Sequence, residues 1–184
     1  PFKVDAVFHA AGSVLPLPHD QEFTRYAVNQ AGTRHVIEAA LKMKARRFIY
    51  TSTVLTYDFA RGGRVREDYG PYRGKDAYMR SKSLADVEVA KGVAAGLDAI
   101  FLHPSAIFGA YDKATWSKLF LEVQRVLPLP FAPPGGASVA HMRKVAQTHV
   151  AAFHRGRTGE HYILGGPDVA WFDVVQRVAQ ILNR

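Results

Sequence analysis

The chain has 184 residues, 48% hydrophobic and 22% charged, enough for one core and a little long for a minimal domain. It has no cysteine, which excludes disulfides and Cys-based metal or redox chemistry and suits a reducing compartment, so a cytoplasmic location and no metal site are expected. No apolar run approaches the ~18 residues that cross a bilayer, so no membrane partner is expected, and no signal peptide is readable. With 24 Lys and Arg against 16 Asp and Glu the net charge is +8. The positives are spread, with short clusters at Lys42, Lys44, Arg46 and Arg47 and at Arg61, Arg64 and Arg66. A solvated surface is therefore expected, not a nucleic-acid stripe. Attraction of a phosphate-bearing cofactor or substrate is the milder functional reading.

Val4 to Gly12 reads as a short buried strand ending in the small residues Ala10, Ala11 and Gly12. Small side chains there let backbone approach a ligand closely, or serve a turn that needs glycine. Asp20 to Lys44 is a long helical pattern, with Phe23, Tyr26, Ala27, Ala31, Val36, Ile37, Ala40 and Leu41 as its apolar stripe. Gly32 costs that helix about 1 kcal/mol against Ala, so a packing reason is expected.

Arg47-Phe48-Ile49-Tyr50 runs into three hydroxyls, Thr51-Ser52-Thr53, as a buried parallel strand does at its carboxyl end. In open α/β sheets ligands bind at that end. Residues 54 to 75 read as a long loop, a length that is commonly functional. Asp76 can cap a helix continuing to Ala95, with Gly96 as a natural C-cap. On that helix Tyr78 and Lys82 are i and i+4, so phenol and ammonium share a face. The ammonium is expected to lower the phenol's pKa toward acid–base use.

Leu97 to Gly109 reads as another buried strand and its exit, with Pro104 forcing the strand to end nearby. Ala114 to Leu127 reads as an amphipathic helix with Trp116, Leu119, Phe120, Val123 and Val126 inward. Leu127 to Gly136, rich in proline, breaks regular structure. Ser138 to Ala146 reads as a short strand and a helix start, and Gly159 to Gly166 as a strand. Trp171 to Asn183 is a last helix burying Phe172, Val175, Val178, Ala179, Ile181 and Leu182.

A strand ending in hydroxyls followed by a helix opening Tyr-x-x-x-Lys resembles the extended short-chain dehydrogenase/reductase family, the NAD-dependent epimerases, dehydratases and dihydroflavonol-reductase-like enzymes. Four further stretches carry the likeness: His9-Ala10-Ala11-Gly12, Asn29-Gln30-Ala31-Gly32-Thr33, the strand into Pro104, and Gly159 to Gly166. The fold implied is α/β, a partial Rossmann-like doubly wound parallel sheet with a small C-terminal substrate-binding region. Residues 1–110 would be the C-terminal part of the NAD(P)-binding fold, and 111–184 mostly substrate-binding region with returning elements.

The resemblance implies Thr53, Tyr78 and Lys82 as catalytic residues, with hydride moving to or from nicotinamide. It implies NAD or NADP contacts at Ala10, Ala11, Gly12, Asn29, Thr51, Tyr78, Lys82, Pro104 and Ser105, with Asn29 beneath the catalytic strand. Substrate contacts would come from Thr53 and His103, where the family often has Arg or Asn. Three readings of His103 compete: substrate contact, placed first, a packed histidine with one hydrogen bond, or a pH-sensitive ligand. The substrate would be a carbonyl or hydroxyl compound or a nucleotide sugar, and a homodimer is the assembly implied. The reductase-like and hopanoid-associated epimerase group is the nearest in pattern. Lys144 departs from the family, standing where an acid is usual near a helix N-terminus.

No Gly-x-Gly-x-x-Gly or Gly-x-x-Gly-x-x-Gly occurs, so the turn and helix N-terminus that hold pyrophosphate are missing. The chain, which starts at Pro1 directly in strand-like sequence, reads as the family's pattern from its fourth strand onward. By itself it is expected to bind NAD(P) weakly or not at all and to be inactive, with an unpaired edge on its first strand. The alternative function is a non-catalytic cofactor-sensing or scaffold protein of the same fold. The intact Thr/Tyr/Lys set speaks against it.

Overall fold

The computed structural model describes residues 3–14, 26–59, 62–112, 116–125, 132 and 134–183. Residues 20–25 of the first expected helix lie outside them, as do Arg61, Ala114, Val126, the run from Leu127 to Phe131, and Pro133. In chain order the elements are β1 (Ala6–His9), a π-helical turn (Tyr26–Gly32), α1 (Thr33–Lys42), β2 (Arg47–Thr51), a 3-10 turn (Val54–Thr56), α2 (Ala77–Ala94), β3 (Ala99–Pro104), β4 (Ala106–Phe108), α3 (Ser117–Arg125), β5 (Gly136–His141), α4 (Met142–Arg155), β6 (His161–Leu164), β7 (Asp168–Ala170) and α5 (Trp171–Ile181). They form two compact units: Pro1–Pro104 with Gln147–Ile163, and Ser105–Ala146 with Leu164–Arg184.

In the first unit the sheet order is β1-β2-β3-β6, with β1 at an edge. β1 and β2 are parallel, as are β2 and β3, with Phe8 opposite Ile49 and Ile49 opposite Ile100. Parallel strands covered on both faces are apolar throughout, and Phe48, Ile49, Tyr50, Ile100 and Leu102 are fully buried. Each of the larger apolar side chains contributes about 1.5–3 kcal/mol by leaving water. One face of the sheet, Phe48, Tyr50, Ala99 and Phe101, packs on Ile37 and Ala40 of α1 and on Ala85 and Val89 of α2. Against the other lies the later part of α4. Arg47 donates to Phe153 O (2.9 Å) and Ala152 O (3.3 Å) while pairing with Asp98 at 2.8 Å. Arg47 therefore leaves the solvated basic cluster that the sequence assigned it to; it is a fork tying β2 to a helix end.

α2 begins where its chemistry says it should, with Asp76 Oδ1 accepting from Met79 N at 2.8 Å. Gly96, at φ +95°, takes the left-handed position after its end. Gly92 lets α1 approach, because a Cβ there would lie 2.8 Å from Ile37 Cγ2. The long helix expected up to Lys44 is corrected: Tyr26–Gly32 is π-helical, and α-helix starts only at Thr33. The wider turn accompanies the inward placement of Asn29, the buried residue of that segment.

In the second unit β5 pairs in parallel with β4 and antiparallel with β7. Trp116 stacks on Trp171 at 4.9 Å and on Phe108 at 4.7 Å. α5 buries Val178, but Phe172 and Ile181 are 62% and 60% exposed, against the expected burial of both. One apolar stripe on a helix spans only part of its circumference, and these two lie outside the part that is covered. No helix among the described residues is long and apolar enough to cross a membrane.

Candidate active site

At the carboxyl end of β2 the chain turns sharply. Thr53 is extended (φ −156°, ψ 152°) and caps the following 3-10 turn, its Oγ1 accepting from Leu55 N at 3.3 Å. Tyr78, on the first turn of α2, comes to the same place, its phenol near enough to the Thr53 side chain to be influenced by it. One turn on, Lys82 is buried and donates from Nζ to Thr51 O at 2.9 Å, its ammonium 4.5 Å from the centre of the Tyr50 ring. The fold thus brings Thr53, Tyr78, Lys82 and the Thr51 carbonyl together.

The electrostatics differ from the expectation that Lys82 draws the phenol down. Burial pushes the Tyr78 pKa above its ordinary value. The nearby Thr53 hydroxyl opposes this, and the carboxylates of Asp86 and Asp76 add to it. Burial dominates because a phenolate away from water is costly. Lys82 is itself lowered to about 8 by burial, with Asp86 acting in the other direction. At neutral pH Tyr78 is a phenol and Lys82 is still mostly an ammonium.

Asp86 is the residue the sequence reading passed over. It stands one turn beyond Lys82 and accepts from Ser52 Oγ at 2.6 Å. Burial raises its pKa to about 6, with the Ser52 hydrogen bond, Lys82 and Thr56 pulling it down. The signal was present: 78, 82 and 86 are successive i+4 positions, one face of one helix.

The other expected site residues have surroundings of their own. Asn29 is 1% exposed and makes three hydrogen bonds inside the protein. Its Oδ1 accepts from Ser13 N (2.7 Å), and its Nδ2 donates to Ser13 O (3.0 Å) and Ser81 Oγ (2.9 Å). Ser81 Oγ in turn donates to Tyr78 O at 2.8 Å. Asn29 therefore links the segment after β1 to the helix of Tyr78. Thr51 turns its hydroxyl to His149 Nε2 (2.8 Å), so only its carbonyl joins the group around Lys82.

His103 is fully buried, with Nδ1 3.1 Å from Thr53 O and Nε2 2.9 Å from His161 Nδ1, so both ring nitrogens are engaged inside the protein. Burial lowers its pKa to about 3, with the Thr53 carbonyl opposing and His161 and Lys82 adding to the fall. Pro104 is buried at the end of β3. Ser105 opens the second unit and donates from N (3.1 Å) and Oγ (3.2 Å) to Leu164 O. Ala10, Ala11 and Gly12 are exposed just past β1.

A parallel sheet whose strands end in such a polar cluster defines an α/β protein of the Rossmann type, the fold of the extended short-chain dehydrogenases/reductases. The model of the NAD dependent epimerase/dehydratase family matches residues 1–165, and the chain belongs to that family. Among its relatives, a protein of Synechocystis sp. provisionally named dihydroflavonol 4-reductase is 29% identical over 184 residues, which are 95% of this chain and 53% of that protein. The 3beta-hydroxysteroid-dehydrogenase/decarboxylase isoform 1 of Arabidopsis thaliana is 32% identical over 113 residues, 59% of this chain and 25% of that protein. DesIV, the dTDP-glucose 4,6-dehydratase of Streptomyces venezuelae solved with NAD and TYD, shares the fold at a TM-score of 0.86 and 20% identity, over 98% of this chain and 58% of that one. The chain spans about half the length of the curated relatives it matches most fully.

Proposed function

We propose that this chain carries the acid–base centre of a nicotinamide-dependent oxidoreductase or epimerase acting on a carbonyl or hydroxyl group. The observation that supports it most is the convergence of the Thr53 side chain and the Tyr78 phenol with the Lys82 ammonium, which is held on the Thr51 carbonyl at 2.9 Å.

In the reducing direction Tyr78 gives its proton to the substrate oxygen as the carbon takes up hydride, and the carbonyl becomes an alcohol. In the oxidising direction the phenolate takes that proton back. Thr53 donates to the same oxygen and fixes where it sits, which is most effective in a site that excludes water. The raised pKa of Tyr78 keeps the proton in place at neutral pH, so the group is poised as an acid.

The residues present fit the nicotinamide end of NAD or NADP. An ammonium has three donors, and the bond to Thr51 O uses one, which leaves Lys82 able to hold a ribose hydroxyl. The small exposed run Ala10-Ala11-Gly12 allows close approach of a cofactor backbone. When bound, the nicotinamide supplies or accepts the hydride. A nucleotide sugar, a dihydroflavonol-like ketone and a hydroxysteroid are the substrate classes to try.

The test is turnover of the complete protein with and without Tyr78→Phe, read as consumption of reduced nicotinamide. Loss of about 10²–10⁴-fold in kcat with an unchanged circular dichroism spectrum is expected, the range for a general acid. Turnover within a few-fold of the unsubstituted protein would refute the assignment.

A further inference from the structure

His103 and His161 take no part in the reaction proposed above, yet their rings hydrogen-bond to each other, and the pair ends on the backbone of Thr53. His103 Nδ1 lies 3.1 Å from Thr53 O and 3.3 Å from Thr56 Oγ1. A carbonyl oxygen only accepts. The single hydroxyl hydrogen of Thr56 has acceptors in Thr53 O at 3.0 Å and in the Asp86 carboxylate, so at His103 the Thr56 oxygen accepts as well. The proton of neutral His103 is therefore on Nδ1, and Nε2 is left as an acceptor. The contact of 2.9 Å between that Nε2 and His161 Nδ1 then requires the hydrogen to be on His161 Nδ1. Both tautomers follow from one carbonyl.

The chain has a direction, His161 N–H to His103, then His103 N–H to Thr53 O. It is held rigidly: His161 stacks on Phe101 at 4.1 Å and 7°, and Tyr57 lies 4.8 Å from the His103 ring on the same cluster. Burial keeps His103 neutral, as the direction of the chain needs. The charges facing His161 are Glu160 and Glu67, the latter reaching β6 by accepting from Ile163 N at 3.0 Å.

We infer that His161 is a positioning residue for Thr53. Through His103 it fixes the Thr53–Val54 peptide, and with it the direction in which the Thr53 hydroxyl meets Tyr78 and the substrate oxygen. The inference rests on the proposed role of Thr53, and it adds two residues, 58 positions apart, that the reaction itself does not touch.

Two measurements on the complete protein test it. Nitrogen-15 spectra of the histidine rings at neutral pH should show His103 and His161 both protonated on Nδ1; the other tautomer at either ring overturns the chain, whatever the protein catalyses. Second, His161→Phe keeps a ring to stack on Phe101 but has no N–H, whereas His161→Asn supplies an N–H without the ring. His161→Phe should lower kcat about tenfold, the scale of one hydrogen bond, with KM little changed. His161→Asn should recover most of that loss. Unchanged kcat in His161→Phe, or equal losses in both variants, would sink the positioning role. Should Tyr78→Phe retain turnover while the tautomers are as stated, the functional reading fails and the hydrogen-bond chain stands. Should His161→Phe not fold, the spectra of the unsubstituted protein decide.

Discussion

The two units of this chain differ in what they bury. Every buried polar or charged residue among the described ones, from His9 and Asn29 through Lys82 to His103, belongs to the first unit. The second buries Val123, Ala140, Val145, Leu164 and Val178, and leaves Phe172 and Ile181 in the open. A buried polar group costs stability unless it is hydrogen-bonded, and its partners must then hold one geometry. The first unit has accepted that constraint around the end of β2, where a reacting oxygen would need fixed neighbours. The second is held by apolar contact and stacked rings, which tolerate substitution better.

Lys82→Met would break this contrast most sharply after Tyr78→Phe. Turnover should fall about 100-fold, at the lower end for acid–base chemistry. Stability should not fall with it, since burial lowers the Lys82 pKa to about 8 and the charged form is held against its preference. Thermal melts at pH 7 check this, and a drop in Tm of many degrees would show that the ammonium supports the fold. Asn29→Ala should destabilise by about 2 kcal/mol, because it removes three hydrogen bonds and leaves the part-buried backbone N–H and C=O of Ser13 without the partner that binds both. Denaturant titration reads it directly.

The pH dependence sharpens the comparison further, because two buried groups in the first unit oppose each other. Asp86 rises from 3.8 to about 6 on folding, so between those values the folded chain binds more protons and stability falls as pH rises. His103 falls from 6.5 to about 3, so the unfolded chain binds more protons and stability rises with pH across that window. Asp86→Asn removes the falling contribution. Its gain in stability between pH 4 and pH 6 should therefore be steeper than that of the unsubstituted protein; equal slopes would show that Asp86 titrates no higher in the folded chain than in the unfolded one. The smallest effect is expected in the second unit, where Phe172→Ser should change stability by no more than about 0.5 kcal/mol.

How much of this was legible follows the range of the interactions. The β2 strand with its hydroxyl end, the Asp76 cap, the Gly96 stop and the pairing of Tyr78 with Lys82 are local, and propensity and spacing reveal them. Asn29 was visible as part of a motif, but its partners Ser13 and Ser81 are distant in sequence, so its internal role was not. Nothing in the neighbourhood of His103 points to His161, since only the pairing of β3 with β6 brings the rings together. The raised pKa of Tyr78 was missed for a related reason. The i+4 ammonium is readable from spacing, whereas the burial that outweighs it depends on the whole fold.

Gly92 carries a consequence for where harmful variation should arise. It lies fourteen residues along α2 from Tyr78, about 21 Å at the helical rise, and nothing chemical happens near it. A methyl group there would meet Ile37 and drive α1 and α2 apart, and α2 is the rod on which Tyr78, Lys82 and Asp86 are mounted. Random mutagenesis screened for lost turnover should recover alanine at this position among its temperature-sensitive alleles.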